Sequence, residues 1–109
     1  MKLPKDTFIS QEKLTEYLLV FRSRNDKSQW LAKAGYTLEN WKTLEKDLRE
    51  QILPNEAVPI ENTNYGQIFE TKGKLNGPNG EHLKVCTIWI TEKTTKDTKF
   101  ITMYPDKRG

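Results

Sequence analysis

The chain has 109 residues, of which 30% are charged and 35% hydrophobic, and its formal net charge is +3 at pH 7. This length suits one domain with one modest core, and the aromatic content argues against global disorder. No apolar run approaches the roughly 18 residues of a membrane-spanning helix, and the N-terminus lacks the apolar segment of a signal peptide. We therefore expect a single globular domain over residues 1–109 and no membrane partner.

The positive charge is unevenly distributed. Residues 1–69 hold ten basic and ten acidic residues, whereas residues 70–109 hold eight basic and five acidic ones. A second basic cluster, opposed locally only by Asp26, consists of Arg22, Arg24, Lys27 and Lys33. Two basic regions suit a polyanion partner, although ordinary solvated surface is the simpler interpretation at this small net charge.

Metal and cofactor chemistry has little support in the residue types. Cys86 is the only cysteine and His82 the only histidine, so the chain can form neither an internal disulfide nor a Cys/His zinc site. The phosphate-loop, His-Glu-x-x-His and nucleophile-elbow motifs are absent, and we expect no metal and no cofactor. Because Cys86 lies within an apolar run, we expect a buried, unreactive thiol.

The N-terminal half carries three predicted helices, of which the second is short. Ser10 can cap a first helix of about residues 11–22. Its apolar residues follow at helical spacing: Leu14, Tyr17, Leu18 and Phe21. After a break in the pattern, Asp26 can cap a second helix, and Gly35 ends it in the usual C-terminal position.

The third helix has the clearest pattern in the chain. Thr37 can cap its N-terminus, and Pro54 ends it. The apolar residues of its stripe lie three or four positions apart: Leu38, Trp41, Leu44, Leu48 and Ile52. We expect this stripe to pack on a sheet.

The C-terminal half reads as strands separated by turns. Residues 57–60 predict a short edge strand, where Pro59 is tolerated because an edge needs fewer donors. A longer strand is predicted from Tyr65 to Lys74, with Gly66 and Gly73 as bulge or bend positions. The dipeptide Asn79-Gly80 then predicts a hairpin turn. The last strand covers about residues 98–104, and a frayed tail follows it over residues 106–109.

The longest β-favouring run is the stretch from His82 to Thr91. Both of its alternating faces are mostly apolar, which predicts an inner strand covered on both sides. Helices followed by an antiparallel meander define an α+β fold. We predict two or three N-terminal helices, within about residues 10–53, packed on a three- to four-stranded antiparallel sheet within about residues 56–105.

A set of polar residues suited to metal-free chemistry lies on the predicted sheet: Tyr65, Glu70, Lys72, Lys74, His82, Lys84, Thr87, Thr102 and Tyr104. Metal-independent RNA cleavage needs a base for the ribose 2′-hydroxyl, an acid for the leaving 5′-oxygen, and cations or hydroxyls that stabilise the phosphorane. His82 can serve as acid or base because histidine titrates near neutral pH. A lone histidine beside a turn is, however, more often simply exposed.

Several short motifs occur in a fixed order: Tyr65-Gly66, Gly73–Gly80, Thr87–Ile90 and Ile101–Pro105. This order resembles an uncharacterised bacterial and phage domain family met at the ends of polymorphic toxins and beside phage head-morphogenesis modules. Lys13–Leu19 and the segment 27–37 also resemble the helical half of that family, so the resemblance covers about residues 13–105. The architecture is similar to the barnase/EndoU/colicin/RelE group of metal-free ribonuclease toxins.

The resemblance implies a metal-independent ribonuclease toxin that acts on tRNA or mRNA, with its active residues on the sheet face. The catalytic candidates are Lys72, His82, Lys84, Thr102 and Tyr104. The RNA-binding candidates are Lys27, Tyr65 and Lys74. The implied partners are the RNA substrate and a cognate immunity or antitoxin protein. The implied site of action is cytoplasmic, with delivery as part of a larger secreted chain.

Strand alternation divides the candidates of the central strand. His82 and Lys84 share a face with Cys86, whereas Thr87 lies on the opposite face. Lys84 and Thr87 therefore cannot belong to one site on a sheet face, and we assign Thr87 a structural role. A non-catalytic protein-binding module, such as a phage accessory, immunity or inhibitor protein, is the alternative function.

Overall fold

A computed structural model describes residues 1–24 and 26–106. The first helix, α1, spans Gln11–Lys13 and runs directly into a π-helical turn, Leu14–Leu18. The second helix, α2, spans Ser28–Ala32.

The third helical segment is the longest. A 3-10 turn, Leu38–Asn40, leads into α3, Trp41–Asp47, which continues as a second π-helical turn, Leu48–Ile52. Thr37 and Asn40 form the capping box at its start, where the Thr37 N–H donates to Asn40 Oδ1 at 2.7 Å. The predicted helix from Thr37 to Pro54 is therefore confirmed.

The sheet follows the helices in the chain. Its strands are β1 Ala57–Asn62, β2 Gly66–Asn76, β3 His82–Glu92 and β4 Thr98–Pro105. They pair antiparallel in the order β1-β2-β3-β4. The predicted α+β architecture, with helices first and an antiparallel sheet second, is confirmed.

One face of the sheet packs against the helices. Its fully buried side chains include Trp89 on β3 and Met103 on β4. The rings of Trp89 and Phe100 pack edge to face, with their centroids 5.1 Å apart. The helical side of this core contributes buried leucines: Leu14, Leu18, Leu31, Leu44 and Leu48. Both halves of the chain thus share one core, which fixes the helices relative to the strands.

The first helix is shorter than predicted. Its helical residues end at Leu18 instead of about residue 22, and Phe21 is 67% exposed instead of continuing the apolar stripe. Asp26 explains the difference, because its carboxylate accepts the backbone N–H of Arg22 at 3.1 Å and that of Ser28 at 3.3 Å. A short acidic side chain that bonds the backbone in this way competes with helix continuation. The predicted cap at Asp26 is displaced by one residue, because Lys27 directly precedes α2 while the Asp26 carboxylate accepts the N–H of Ser28, the first residue of the helix.

The inner strand β3 is covered less completely than predicted. Its face away from the helices is not closed, since Ile88 and Ile90 are half-buried and Lys84 is exposed. The apolar residues on that face suggested a second covering layer, but the described helices all lie on the other side. Cys86 is the exception, being only 2% exposed, and the expectation of a buried thiol is confirmed.

The loop between β2 and β3 packs against α2. The structure has a five-residue connection, residues 77–81, in which Gly80 has a φ of +91°. A Cβ on Gly77 would lie 1.9 Å from the carbonyl oxygen of Ala34, so only glycine fits this contact. Of the two alternatives predicted for Gly66 and Gly73, a bulge is excluded, because the pairing of β2 with β3 is unbroken along its length. At each of these two glycines, another part of the chain comes so close to the backbone that a Cβ would collide with it.

A β-bulge lies in β4. Trp89 pairs with Phe100 and Ile88 pairs with Thr102, so Ile101 is the extra residue. From here to the end of β4, Thr102 and Tyr104 point away from the helices while Met103 points into the core.

Within residues 1–24 and 26–106, no helix is long and apolar enough to cross a membrane. The predicted frayed tail lies largely outside the described residues, since residues 107–109 are not among them.

Candidate functional site

The candidate site lies on the face of the sheet that is turned away from the helices, here called the open face. Three rows of cross-strand neighbours define it. The first row is Glu70–Ile88–Thr102, the second is Lys72–Cys86–Tyr104, and the third contains Lys74 and Lys84. Neighbouring strands lie about 4.8 Å apart, and rows on one face follow every second residue, about 6.6 Å along a strand.

One group of side chains, here called the edge cluster, lies where the helical half meets β4. It consists of Tyr17, Arg22, Lys27 and Thr102. Lys27 Nζ donates a hydrogen bond to Thr102 Oγ1 at 3.0 Å and lies 5.3 Å from the centre of the Tyr17 ring. The Arg22 guanidinium lies 4.9 Å from the centre of the same ring. Two cations and two hydroxyl groups therefore meet at one point of the surface.

The edge cluster changes the acidity of Tyr17. Partial burial opposes the charged form, but it is outweighed by the charge of Lys27, by hydrogen bonds with Thr102 and Lys27, and by the charge of Arg22. Together they hold the pKa of Tyr17 below its ordinary value. A phenol in this setting is a better proton acceptor at a given pH than an ordinary tyrosine, because more of it is ionised.

A groove of about 520 Å³ opens beside the edge cluster. It is lined by Ser10, Glu12, Lys13, Glu16, Tyr17, Arg22, Ile101 and Thr102. This volume is within the usual range of small-molecule sites. The Lys27–Thr102 hydrogen bond therefore borders a concave surface.

A second group, here called the central cluster, consists of Glu70, Lys72 and Tyr104. The Tyr104 hydroxyl donates to Glu70 Oε2 at 3.3 Å, and Lys72 Nζ lies 3.7 Å from Glu70 Oε1. Partial burial, followed by the nearby Cys86 and Glu70, raises the pKa of Tyr104. Tyr104 thus retains its proton more strongly than an ordinary tyrosine, in contrast to Tyr17.

Cys86 lies beneath the central cluster. It is the β3 member of the row that joins Lys72 to Tyr104, and the Tyr104–Glu70 bond spans β3 above it. Burial, with added contributions from Asp106 and Glu70, raises the pKa of Cys86 to about 11. Its thiol is therefore protonated at neutral pH and is a poor nucleophile.

The remaining sheet candidates lie farther along the open face. Lys74 and Lys84 are direct cross-strand partners, and His82 precedes them towards the hairpin as the partner of Asn76. The row of Thr102 lies six positions along β3 from His82, which is about 20 Å at 3.3 Å per residue. His82 and Thr102 therefore cannot contact the same phosphate.

Tyr65 also lies apart from both clusters. It lies in the turn between β1 and β2, is 80% exposed, and its carbonyl accepts the N–H of Lys93 at 2.9 Å. This turn is at the end of the sheet opposite to the hairpin that precedes His82. The structure thus brings Lys27 together with Thr102, and it joins Lys72 to Tyr104 through Glu70. His82 and Tyr65 belong to neither cluster.

Thr87, to which a structural role was assigned, lies in the core. It is fully buried on the helix-facing side, donates to the Thr71 carbonyl at 2.7 Å and accepts from Trp89 Nε1 at 2.7 Å.

Sequence reasoning missed two residues of the edge cluster. Tyr17 was assigned to the apolar stripe of the first helix, although it is only half-buried. Arg22 was noticed as part of a basic cluster, but nothing in the spacing of the sequence linked it to β4. The signal that the sequence does carry is the concentration of basic residues between Arg22 and Lys33. Among the described residues, no group of three or more His, Cys, Asp or Glu side chains is placed to hold a metal ion.

Comparison with known proteins identifies the family of the chain. Residues 2–107 match a family described as Domain of unknown function (DUF6883). Because the match covers nearly the whole sequence, the chain belongs to this family. No curated protein and no solved structure shows a significant match to the chain.

Proposed function

We propose that this protein is a metal-independent endoribonuclease of the toxin type, which cleaves tRNA or mRNA by attack of the 2′-hydroxyl on the adjacent phosphate. One observation carries the proposal. Tyr17 lies against the Lys27–Thr102 hydrogen bond, Tyr104 lies two residues beyond Thr102 on the same face of β4, and the pKa values of the two tyrosines are displaced in opposite directions. Paired groups whose environments separate their pKa values in this way are typical of a base and an acid that act on one substrate.

Tyr17 is the proposed base. The scissile phosphate binds at the Lys27–Thr102 hydrogen bond, where Lys27 and Arg22 offer positive charge. The phenolate oxygen of Tyr17 takes the proton of the 2′-hydroxyl, and O2′ forms a bond to phosphorus. Lys27, Arg22 and the Thr102 hydroxyl stabilise the negative charge of the phosphorane, which is the largest electrostatic demand of this reaction.

Tyr104 is the proposed acid. It lies two residues beyond Thr102 on the same face, about 6.6 Å along β4, and Glu70 orients its hydroxyl. As the bond between phosphorus and O5′ breaks, Tyr104 transfers its proton to O5′. The products are a 2′,3′-cyclic phosphate and a 5′-hydroxyl, and the proton gained by Tyr17 balances the one lost by Tyr104.

The test is cleavage of a labelled single-stranded RNA by purified protein in the presence of EDTA. We expect Tyr17→Phe and Tyr104→Phe each to lower the cleavage rate at least about 100-fold, the usual contribution of a general acid or base. Tyr65→Phe is the matched control, because it removes the same hydroxyl from a tyrosine at the far end of the sheet, and its rate should equal that of the wild type. Intact RNA at a large excess of folded protein would overturn the proposal.

The toxin role rests on the ordered motifs that resemble domains found in polymorphic toxins. It predicts that expression of the wild type inside bacteria stops growth, whereas the Tyr17→Phe variant does not. It also predicts a cognate immunity or antitoxin protein that restores growth when it is expressed together with the wild type. Equal growth with the wild type and Tyr17→Phe would contradict the toxin role, even if the purified protein cleaves RNA.

A second candidate function is that of a non-catalytic protein-binding module. The observation that favours it is the outer edge of β1, where Val58 and Ile60 are 52% and 50% exposed. Exposed strand edges pair readily with a strand of another chain. Full RNA stability together with loss of partner binding in a Val58→Lys variant would support this function over the ribonuclease.

A further inference from the structure

We propose that the nucleotide whose 2′-hydroxyl attacks the phosphate places its base in a second groove, here called the base groove, which lies between Phe21 and α2. This inference rests on the proposed function and deepens it, because it gives the RNA a point of contact beside the scissile phosphate. It assigns Phe21 to substrate binding and not to the chemical step.

The base groove has a volume of about 310 Å³, which is at the lower end of the usual range of small-molecule sites. Its lining includes Phe21, Ser28, Gln29, Ala32, Tyr36 and Leu38. Phe21 and Leu38 are both exposed, so two large apolar side chains border one concave surface. A groove of this size suits one flat ring system.

The loop that ends the first helix holds the two sides of the base groove together. Asp26 Oδ1 accepts the N–H of Arg22 at 3.1 Å and the hydroxyl of Ser28 at 2.7 Å. One oxygen atom thus joins the residue that follows Phe21 to the first residue of α2. Because the groove is formed before a ligand arrives, little conformational entropy is lost on binding.

The base groove adjoins both cations of the edge cluster. Arg22 directly follows Phe21, and Lys27 directly precedes Ser28. Since consecutive Cα atoms are about 3.8 Å apart, a phosphate held by Arg22 and Lys27 is within one nucleotide of the groove. The segment 21–29 contains three basic residues and one acidic residue, Asp26, so its charge favours the approach of a phosphate.

An exposed aromatic ring beside cations suits single-stranded nucleic acid. A base stacks on the aromatic side chain while the cations hold the phosphate. Such stacking is tolerant of sequence, because every base has a flat face. Gln29 adds an amide group to the lining, and an amide can both donate and accept hydrogen bonds at the edge of a base.

The two proposed catalytic tyrosines determine which nucleotide enters the base groove. Tyr17, the proposed base, lies against Arg22 and Lys27. Tyr104, the proposed acid, lies farther along β4. The 2′-hydroxyl therefore faces Tyr17, and the leaving O5′ faces Tyr104. Phe21 lies four residues after Tyr17 in the chain, so the base on the 2′-hydroxyl side is the one that reaches it.

The experiment uses a DNA strand with a single ribonucleotide, in which only one bond can be cleaved by attack of a 2′-hydroxyl. One version of the strand carries adenine on this ribonucleotide, and the other carries a hydrogen atom in place of the base. Cleavage of both is measured in EDTA with the wild type, Phe21→Ala and the control Phe8→Ala. Phe8 is a matched control, because it is 57% exposed against 67% for Phe21 and lines neither the base groove nor the groove beside the edge cluster.

We expect Phe21→Ala to lower kcat/KM for the strand with adenine by roughly 5- to 150-fold, the loss of one stack between a base and an aromatic side chain. The loss should appear in KM, since the groups of the chemical step are unchanged. The strand without the base should be cleaved equally by Phe21→Ala and the wild type. Phe8→Ala should equal the wild type on both strands.

The failure of this inference is distinct from the failure of the ribonuclease. Equal kcat/KM values for Phe21→Ala and the wild type on the strand with adenine, or equal losses on both strands, overturn the base groove and leave the ribonuclease intact. Fluorescence anisotropy measures binding of the same two strands with 2′-deoxyribose throughout. If the wild type cleaves neither strand but Phe21→Ala weakens binding only when the base is present, the base groove stands and the ribonuclease fails. If the wild type neither cleaves nor binds, both proposals fail.

Discussion

The two faces of the sheet are built from the same strands but use polar groups in different ways. On the helix-facing side, the Thr87 hydroxyl accepts from Trp89 and donates to β2, so its bonds are enclosed and local. On the open face, Glu70, Lys72 and Tyr104 bond one another while they remain partly exposed. A ligand can replace bonds of the second kind but not of the first. The helix-facing side therefore makes the sheet rigid, whereas side chains of the open face can exchange their present partners for a ligand.

Trp89→Ala tests the contribution of the buried face and should have the largest effect. Trp89 is fully buried against Phe100, and removal of such a side chain costs about 3–5 kcal/mol through lost contacts and a cavity. Urea unfolding measures this change. The open-face control Tyr104→Phe should alter the free energy of unfolding by no more than about 0.5 kcal/mol. Similar losses in the two variants would remove the distinction between the faces.

Cys86 tests whether the open face is covered at its centre. Since its pKa is raised to about 11, its thiolate fraction at pH 8 is about 100-fold lower than that of an ordinary cysteine. Labelling with iodoacetamide should therefore be at least about 100-fold slower in the folded protein than in urea. Tyr104→Ala, which uncovers the thiol, should speed up labelling of the folded protein. Rapid labelling of the wild type would mean that the central cluster does not shield Cys86.

Tyr36→Phe measures a polar bond on the helical side of the core. The buried Tyr36 hydroxyl donates to Asp47 Oδ2 at 2.6 Å, and a hydrogen bond to a charged group contributes about 1.5–3 kcal/mol. Burial and Asp47 raise the pKa of Tyr36, so the folded state keeps a proton that the unfolded chain loses above about pH 10.

The stabilisation from Tyr36 should consequently be present below pH 10 and decline as the pH rises above it. Urea titrations between pH 8 and pH 11 should show a steeper alkaline loss for the wild type than for Tyr36→Phe. The control Tyr65→Phe, which changes an exposed tyrosine, should show the same alkaline loss of stability as the wild type. Parallel curves for Tyr36→Phe and the wild type would contradict this role of the hydroxyl.

Thr71→Val should have the smallest effect and the opposite sign. Among the described residues, Thr71 Oγ1 is buried without a hydrogen-bond partner, and replacement of such a group by a methyl removes a desolvation penalty of about 1 kcal/mol. We expect a stabilisation of about this size in thermal unfolding. Thr87→Val is the matched control and should destabilise, because it breaks two bonds. A destabilised Thr71→Val variant would show that its hydroxyl has a partner in solution.

Much of the fold could be predicted from local sequence signals. The cap at Thr37 and the alternation of His82–Thr91 correctly indicated a helix start and an inner strand, whereas α2 begins one residue later than a cap at Asp26 implies. The end of the first helix was wrong because the carboxylate of Asp26 bonds back to Arg22, a contact across a loop. Spacing rules describe regular elements and contain no term for such a contact.

The candidate site could be predicted only in part, for a similar reason. Alternation placed His82 and Lys84 on one face correctly, but it gave no distance between their rows and that of Thr102. Tyr17 has the spacing of a core residue, and its approach to β4 depends on how the helices pack. The basic residues Arg22 and Lys27 were visible in the sequence, yet the partner of Lys27 on β4, Thr102, is 75 residues away along the chain.

Ile101 is the extra residue of β4, and its deletion would have a defined effect on the strand. Strict alternation from Phe100 would turn Thr102 inward and Met103 outward, and the bulge is what reverses them. Deletion of Ile101 would leave Phe100 paired with Trp89 and Thr102 paired with Ile88 in a regular ladder, with the same faces. Such a deletion would remove only the local bend that a bulge adds. It would therefore separate the curvature of the strand from the chemistry of its side chains.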